Sequence, residues 1–458
     1  MPAGDDKPKA PLPATRPAPS TPTASRFGRF AKLTGLSASV AARHITQKVV
    51  GAFSDDASAA VGEKQALEKS AQQMRRTLGE LKGAAMKVGQ MMATDPELLP
   101  PEISEQLKQL QHSAPAMDFG TVRGVVESAL GAPLADVFAS FHEEPLGAAS
   151  IGQVHRARTK DGVDVAVKVQ YPGIADTIRS DMKNLGSLLM IARAQLPKER
   201  VDGYLEEVTS VIERESDYVN EASNLERFQI VLKNCDGIRV PVPVHELTRK
   251  NVLVMELFEG ERLEDWLVKA TPEQRTVQGR RLLGAYLDMI HRHGALHADP
   301  HPGNFLVLTG VESSNGVPPI GILDLGCVRD YPLELMDDQL RLLASLWKHD
   351  IEALQHTWRK IGFMDKGVDP EMIYEWLCLL FEPLLVNRVT DFGTWKVQEQ
   401  AMRFILDNPR IKMWAPPREV LFYVRVLAGL RALMHKVGMR LNVYELSQAV
   451  CRERGIIH

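Results

Sequence analysis

The stretch Leu296–Val307, LHADPHPGNFLV, constrains this chain more than any other. Pro300 and Pro302 stand two residues apart. Proline removes a backbone donor and clashes with the preceding helical turn, so a helix is disfavoured here. Asp299, Asn304, His297 and His301 are therefore expected on an irregular loop between apolar flanks. A zinc site at His297 and His301 would want a helix to align the i,i+4 pair, and the prolines argue against it. A catalytic loop and a merely stiff turn remain.

A chain of 458 residues implies roughly two to three domains. Hydrophobic residues at 44% and charged residues at 25% fit a soluble globular protein. A formal net charge of −3 gives no pointer to nucleic acid as a partner. Cys235, Cys327, Cys378 and Cys451 lack CxxC spacing, which argues against a disulfide framework or structural zinc and fits a reducing compartment. Cys327 reads as a small buried thiol. No apolar run approaches the ~18 residues that span a bilayer, and the N-terminus lacks the apolar core of a secretory signal.

Residues 1–26 are a Pro/Ala-rich tail expected to be disordered. Between Lys7 and Phe53 there are eight Lys/Arg and no acid. This stretch is either a basic amphipathic helix suited to peripheral contact with an anionic membrane or a solvated tail leading to a docking helix. Residues 63–93 read as one helix from the spacing of Leu67, Met74, Leu78, Leu81, Ala85, Val88 and Met92. In GAASIGQVHRARTKDGVDVAVKVQYPG, the turn at Lys160-Asp161-Gly162 predicts a hairpin. Val165, Val167 and Val169 share one face of its second strand, Ala166 and Lys168 the other. His155 and Arg156 read as surface groups. A polar helix is predicted over roughly 201–234, then further strands and a turn to Gly260, then mostly helix. The fold class is α+β: a helical extension (27–140), a small β-containing lobe (141–260) and a helical lobe (261–458).

Lys168 follows a Gly/Ala-rich turn by one hairpin; phosphate needs close backbone approach and a fixed positive charge. Asp217 and Glu221 lie i,i+4 on one helix face. Glu215 falls about 200° around an ideal helix from Asp217, so the three acids cannot meet one cation unless the helix is distorted. The Asp299-x4-Asn304 spacing matches kinase-type loops, in which the Asp accepts or orients a proton and the Asn oxygen ligates Mg²⁺. A second ligand should follow at a strand end as Asp-x-Gly, and GILDLGCVRD supplies Asp324-Leu325-Gly326.

In this order the elements resemble the UbiB (AarF-type) family of atypical, protein-kinase-like proteins over roughly residues 60–345. KVGQ at Lys87–Gln90 matches its KxGQ signature. GAASIGQVHRA matches its alanine-rich nucleotide loop, with Gly147 in place of the first alanine. ESDYVNEASNLERF matches its ExD segment, and HADPHPGN its catalytic loop. The resemblance implies a bilobal protein-kinase-like fold with an added helical KxGQ extension, and an ATPase or atypical kinase using ATP and Mg²⁺. It ties such a protein to prenylated quinone biosynthesis, next to a prenylated phenol or quinone-precursor lipid at a membrane.

It also assigns roles. Asp299, Lys168 and Glu221 would be catalytic, with Glu221 meeting Lys168. Gly147, Ala148, Ala149, Ser150, Lys168, Glu256 and Phe258 would bind nucleotide; Asn304 and Asp324 would hold metal. Lys87 and Gln90 would regulate, with Lys87 against Glu215 or Asp217. Alternatives are a small-molecule phosphotransferase of the aminoglycoside or choline kinase type, whose loop is similar but which lacks KxGQ and ExD, and a nucleotide-dependent scaffold with negligible catalysis.

Overall fold

The computed structural model describes residues 116–149, 151–174, 212–311, 316–363, 367–414 and 416–458, with isolated positions 69, 72, 206, 209 and 210. The basic stretch Lys7–Phe53 lies outside the described residues, as do Lys87, Gln90 and Ser150. Of the 63–93 helix only Lys69 and Gln72 are described, both helical.

The chain enters the small lobe at helix α1 (Phe119–Leu130). Asp118 caps it by accepting from the Thr121 amide, and Gly131 ends it in the left-handed region. Strands β1 (Phe138–Ala149), β2 (Gly152–Thr159) and β3 (Asp164–Gln170) follow, then α2 (Tyr218–Val231), β4 (Ile238–Arg239) and β5 (Val252–Glu256). The sheet order is β1-β2-β3-β5, antiparallel throughout. The predicted hairpin joins β2 to β3, with Gly162 at φ 83° in its turn.

The period of two along β3 decides what each face does. Val165, Val167 and Val169 pack into an outer core with Val122 and Val126 of α1, Phe138, Val252 and Val254. Ala166 faces the main core, and Lys168 shares its side. The β2 residues opposite the three valines are Ala157, His155 and Gln153. They must face the outer core as well, so His155 is fully buried rather than a surface group. Arg156, on the other face, is half-buried and pairs with Glu259.

The expected 201–234 helix is not continuous. Helical residues end at Glu215 and resume at Tyr218. Asp217 is the cap at this break, accepting from the Val219 amide at 3.1 Å, while the Tyr218 amide donates to the Lys250 carbonyl at 3.0 Å. A short polar side chain that competes for backbone amides starts a helix more readily than it continues one.

The larger lobe opens with β6 (Glu261–Arg262), α3 (Leu263–Lys269) and α4 (Pro272–His293). A reciprocal Thr271–Gln274 capping box starts α4 and Gly294 ends it. Short strands β7 (Ala295–His297), β8 (Phe305–Val307), β9 (Ile320–Ile322) and β10 (Val328–Asp330) come next. After them the chain is mainly helical: α5 (Leu333–Lys348), α6 (Ile351–Ile361), α7 (Pro370–Leu385), α8 (Val397–Asp407), α9 (Arg418–Val437) and α10 (Val443–Glu453). Arg292 of α4 ties α10 back by donating to both Glu453 oxygens at 2.7 Å. Among the described residues no helix is long and apolar enough to cross a membrane.

His291 of α4 is buried, and burial pulls its pKa down to about 4. A pKa depressed on folding means that the unfolded chain takes up a proton the native state refuses. Stability should therefore fall as pH drops from about 6.5 towards 4 and level off below that, by about 3 kcal/mol in total. Urea unfolding across this range should show the loss in the parent and a flatter profile in His291→Leu. Identical profiles would remove His291 as its source.

Candidate functional site

Two strand pairings hold the polar loop. β8 pairs with β9, placing Phe305 opposite Ile322, and β7 pairs with β10, placing His297 opposite Val328. The segment Ala298–Asn304 and the turn Leu323–Cys327 are thus clamped side by side. Between them the Leu323 amide donates to the Asn304 carbonyl at 2.9 Å and the Ala298 amide to the Cys327 carbonyl at 2.8 Å.

Within the loop the backbone folds on itself. The His301 amide and Asn304 Nδ2 both donate to the Asp299 carbonyl, at 2.7 and 3.0 Å. His301 Nδ1 accepts from the Gly303 amide at 3.0 Å, and His297 Nδ1 lies 3.1 Å from the Tyr286 hydroxyl. The two histidines thus serve local structure. Among the described residues no group of three or more His, Cys, Asp or Glu could hold a metal.

The turn beside this loop carries Asp324, one member of a largely buried ionic cluster. Lys168 Nζ lies 2.7 and 2.9 Å from the two Glu221 oxygens and 2.9 Å from Asp324 Oδ2. Lys168 is 5% exposed and Glu221 1%. Burial opposes the lysine charge, but Asp324 and then Glu221 outweigh it and hold its pKa well above the ordinary value. Burial, then Asp324, pushes Glu221 up to about 7, against the pull of Lys168. Lys168 is thus held as the cation of the cluster, and burial makes the Glu221 charge costly to keep.

The helix break completes the cluster. Gly326 lies so near it that an added Cβ would meet Asp324 Oδ1 at 3.3 Å, Glu215 Cγ at 3.3 Å and Glu221 Oε2 at 3.4 Å. Glu215 and Glu221, on either side of the helix break, thus flank one glycine. The Gly326 amide donates to Asp324 Oδ1 at 2.9 Å. Asp217 is instead engaged as the α2 cap, its side chain accepting from the Val219 amide.

The other expected site residues lie as follows. Gly147, Ala148 and Ala149 end β1, opposite Val154, Gln153 and Gly152. Glu256 ends β5, where its Oε2 accepts from the Val242 amide at 3.2 Å. Phe258 packs against Gly321 and lies under the Arg239 guanidinium, 5.9 Å from ring centre.

Besides Gly326 of the expected Asp-x-Gly turn, three contributors were not singled out from sequence. The Tyr218 ring centre is 5.1 Å from Lys168 Nζ, and its place three residues before Glu221 on one helix face could have flagged it. Asn224 Nδ2 donates to the Leu325 carbonyl at 2.9 Å, tying α2 to the Asp324 turn. Gly429 of α9 sits against the loop, where a Cβ would come 2.8 Å from Pro300 Cγ.

The oxygen donors fit a hard cation. Asn304 spends its Nδ2 on the Asp299 carbonyl, so only its Oδ1 could face a cation, and Asp324 could add a carboxylate. Mg²⁺ characteristically takes one or two such protein oxygens together with substrate phosphates.

A model of the ABC1 atypical kinase-like domain matches residues 109–357. The chain belongs to this family. Its relatives include the atypical kinase coq-8, mitochondrial, of Caenorhabditis elegans (28% identical, covering 81% of this chain and 49% of the relative). The AarF domain-containing protein kinase 1 of Gallus gallus is 34% identical over 65% of this chain and 57% of its own length. This UbiB-family chain thus spans about half the length of these two curated relatives. A solved structure described as the complex of Rv3197 with erythromycin, from Mycobacterium tuberculosis, aligns at a TM-score of 0.60 with 28% identity, over 84% of this chain and 96% of that one. The bilobal protein-kinase-like fold follows from these matches and from the architecture above.

Lys168→Met leaves two carboxylates without their cation. It should cost about 3 kcal/mol near neutral pH, because removing one partner of a buried pair is the expensive half of the exchange. The cost should shrink as pH falls and Glu221 takes up a proton. Urea unfolding of Lys168→Met and of Lys168→Met/Glu221→Leu tests this. A double variant no more stable than the single one would refute the coupling.

Proposed function

We propose that this chain is an atypical kinase or ATPase that binds ATP with Mg²⁺ and acts beside membrane-bound lipid intermediates of prenylated quinone biosynthesis. The observation that carries the reading is the buried contact of Lys168 with both Glu221 and Asp324, the latter on the turn beside the proline-stiffened Asp299–Asn304 loop. These groups come from separate parts of the chain, yet each meets a distinct need of nucleotide binding.

On this reading Lys168 stays oriented by Glu221 and turns from Asp324 to the nucleotide phosphates. The freed Asp324 carboxylate and Asn304 Oδ1 would hold Mg²⁺. A cation held there would supply positive charge against the charge that develops on the transferring phosphate. Asp299 accepts or orients the proton of the attacking group. The backbone from Gly147 to Ala149 would lie over the phosphates, and Glu256 and Phe258 would border the base. Lys87 and Gln90 act as regulators through an acid of the ExD segment. Glu215 is the better partner for Lys87, because it stands beside Gly326 while the Asp217 side chain caps α2.

Two features support a membrane-side setting: the acid-free basic stretch Lys7–Phe53, and the quinone link implied by the family resemblance. Each Lys or Arg near an anionic surface adds roughly 1 kcal/mol.

Calorimetry of Mg-ADP binding tests the nucleotide site. Asp324→Asn should lose at least about tenfold in affinity, roughly the weight of one charge-assisted contact. It should change little for ADP without metal. Equal Mg-ADP affinity in parent and variant would remove Asp324 as a ligand. Phosphate release from ATP should rise when anionic liposomes and a quinone-like phenol are added, and deletion of residues 1–53 should blunt the liposome effect. Turnover indifferent to both additions would separate the ATP site from any lipid role.

A further inference from the structure

The outer face of the nucleotide-loop hairpin carries a polar pair that the reading above does not use. Gln153 is 1% exposed and His155 0%, inside an otherwise apolar core. His155 is packed between Phe119 of α1 and Phe141 of β1, with ring centres 6.4 and 5.5 Å away. Buried polar groups of this kind persist only when satisfied, and here the partners dictate one arrangement.

His155 Nδ1 lies 2.9 Å from the His142 carbonyl oxygen. That oxygen can only accept, so Nδ1 carries the proton and Nε2 is the acceptor. Gln153 Nε2, 2.8 Å from His155 Nε2, must then donate. This fixes the amide orientation and turns Oε1 to the Met117 backbone amide, from which it accepts at 2.7 Å. The second Nε2 hydrogen reaches the Met117 carbonyl at 3.4 Å. Burial lowers the His155 pKa and so favours the neutral ring that the arrangement requires. Flipping the amide would set donor against donor at Met117 and leave His155 Nε2 unpaired.

Met117 is where the chain enters the small lobe from the residues that carry Lys87 and Gln90. Gln153 lies opposite Ala148 in the β1–β2 register. We propose that Gln153 and His155 are positioning residues, a one-directional hydrogen-bond relay that locks the back of the hairpin to the entering chain at Met117 and thereby sets the position of the loop residues Gly147–Ala149. The inference rests on the reading of that loop as the nucleotide loop. Displacement of the entering segment would reach the loop through this relay, without any contact with nucleotide.

Two variants break the relay while filling the same apolar space: Gln153→Leu, and His155→Phe, which keeps a ring between Phe119 and Phe141. Hydrogen exchange on the full chain without nucleotide reads the link directly. Both variants should speed exchange about tenfold, the weight of one buried hydrogen bond, at residues 116–118 and also at 147–153. Steady-state ATP turnover should show KM for ATP raised by a similar factor and kcat unchanged.

Faster exchange confined to 116–118, with KM unchanged, would reduce the pair to local packing and overturn the proposal. So would unaltered exchange at both places. Should the parent chain bind no ATP, the function proposed above fails, while coupled exchange at both places would still uphold the relay. If Gln153→Leu does not fold, His155→Phe carries the same comparison.

Discussion

The contact of one ammonium with two carboxylates organises everything around it. Lys168 comes from β3, Glu221 from α2 and Asp324 from the turn after β9, so the cluster draws on both lobes. Bringing three charges out of water is costly, and only close pairing offsets it. The demand for geometry therefore propagates outward. β3 must be the interior strand between β2 and β5 for Lys168 to be buried. α2 must restart at Tyr218 for Glu221 to reach it. Asn224 must grip the Leu325 carbonyl for the Asp324 turn to stay in range. One ammonium among two carboxyl groups biases the site toward negative charge, and the Asp324 side chain, 29% exposed, keeps it open to solvent. That is an electrostatic reason for such a site to receive a cation.

The loop beside it is stiff for different reasons. Pro300 and Pro302 fix two φ angles, and the short antiparallel pairings on either side fix the ends of the loop. α9 then presses Gly429 against Pro300 from behind. Glycine in the middle of a helix costs up to about 1 kcal/mol relative to alanine, so this position gives up helix stability for close approach. A flexible side chain at the contact could yield, but a proline ring has no rotamer into which to retreat.

Much of this could be read before any coordinates, and the reason is periodicity. The alternation of Val165, Val167 and Val169 with Ala166 and Lys168 already divides one strand into an apolar face and a functional face. The order from Lys168 to the Asp324-Leu325-Gly326 turn is a property of the sequence. Features that depend on tertiary contact could not be read this way. Ideal helix geometry set Glu215 apart from Asp217, but the break between them, made by the Asp217 cap and a bond to the Lys250 carbonyl far along the chain, could not be read from it. His155 looks like a surface residue because its side chain is polar. It is buried because β2 inherits its facing from β3 through the register, and a polar residue at an inward position must find partners there.

That same parity explains how a single hairpin can hold two unrelated kinds of chemistry. The face carrying Lys168 tolerates charge because Glu221 and Asp324 answer it. The face carrying Gln153 and His155 tolerates polarity because its partners are backbone groups with fixed donor and acceptor character. The two faces are one residue apart in sequence, yet the sheet separates them. A contact made by Gln153 can thus move the loop as a body while leaving the ionic cluster electrostatically untouched. Control over loop position and control over charge need not interfere, and a lobe built on one small sheet can accommodate both.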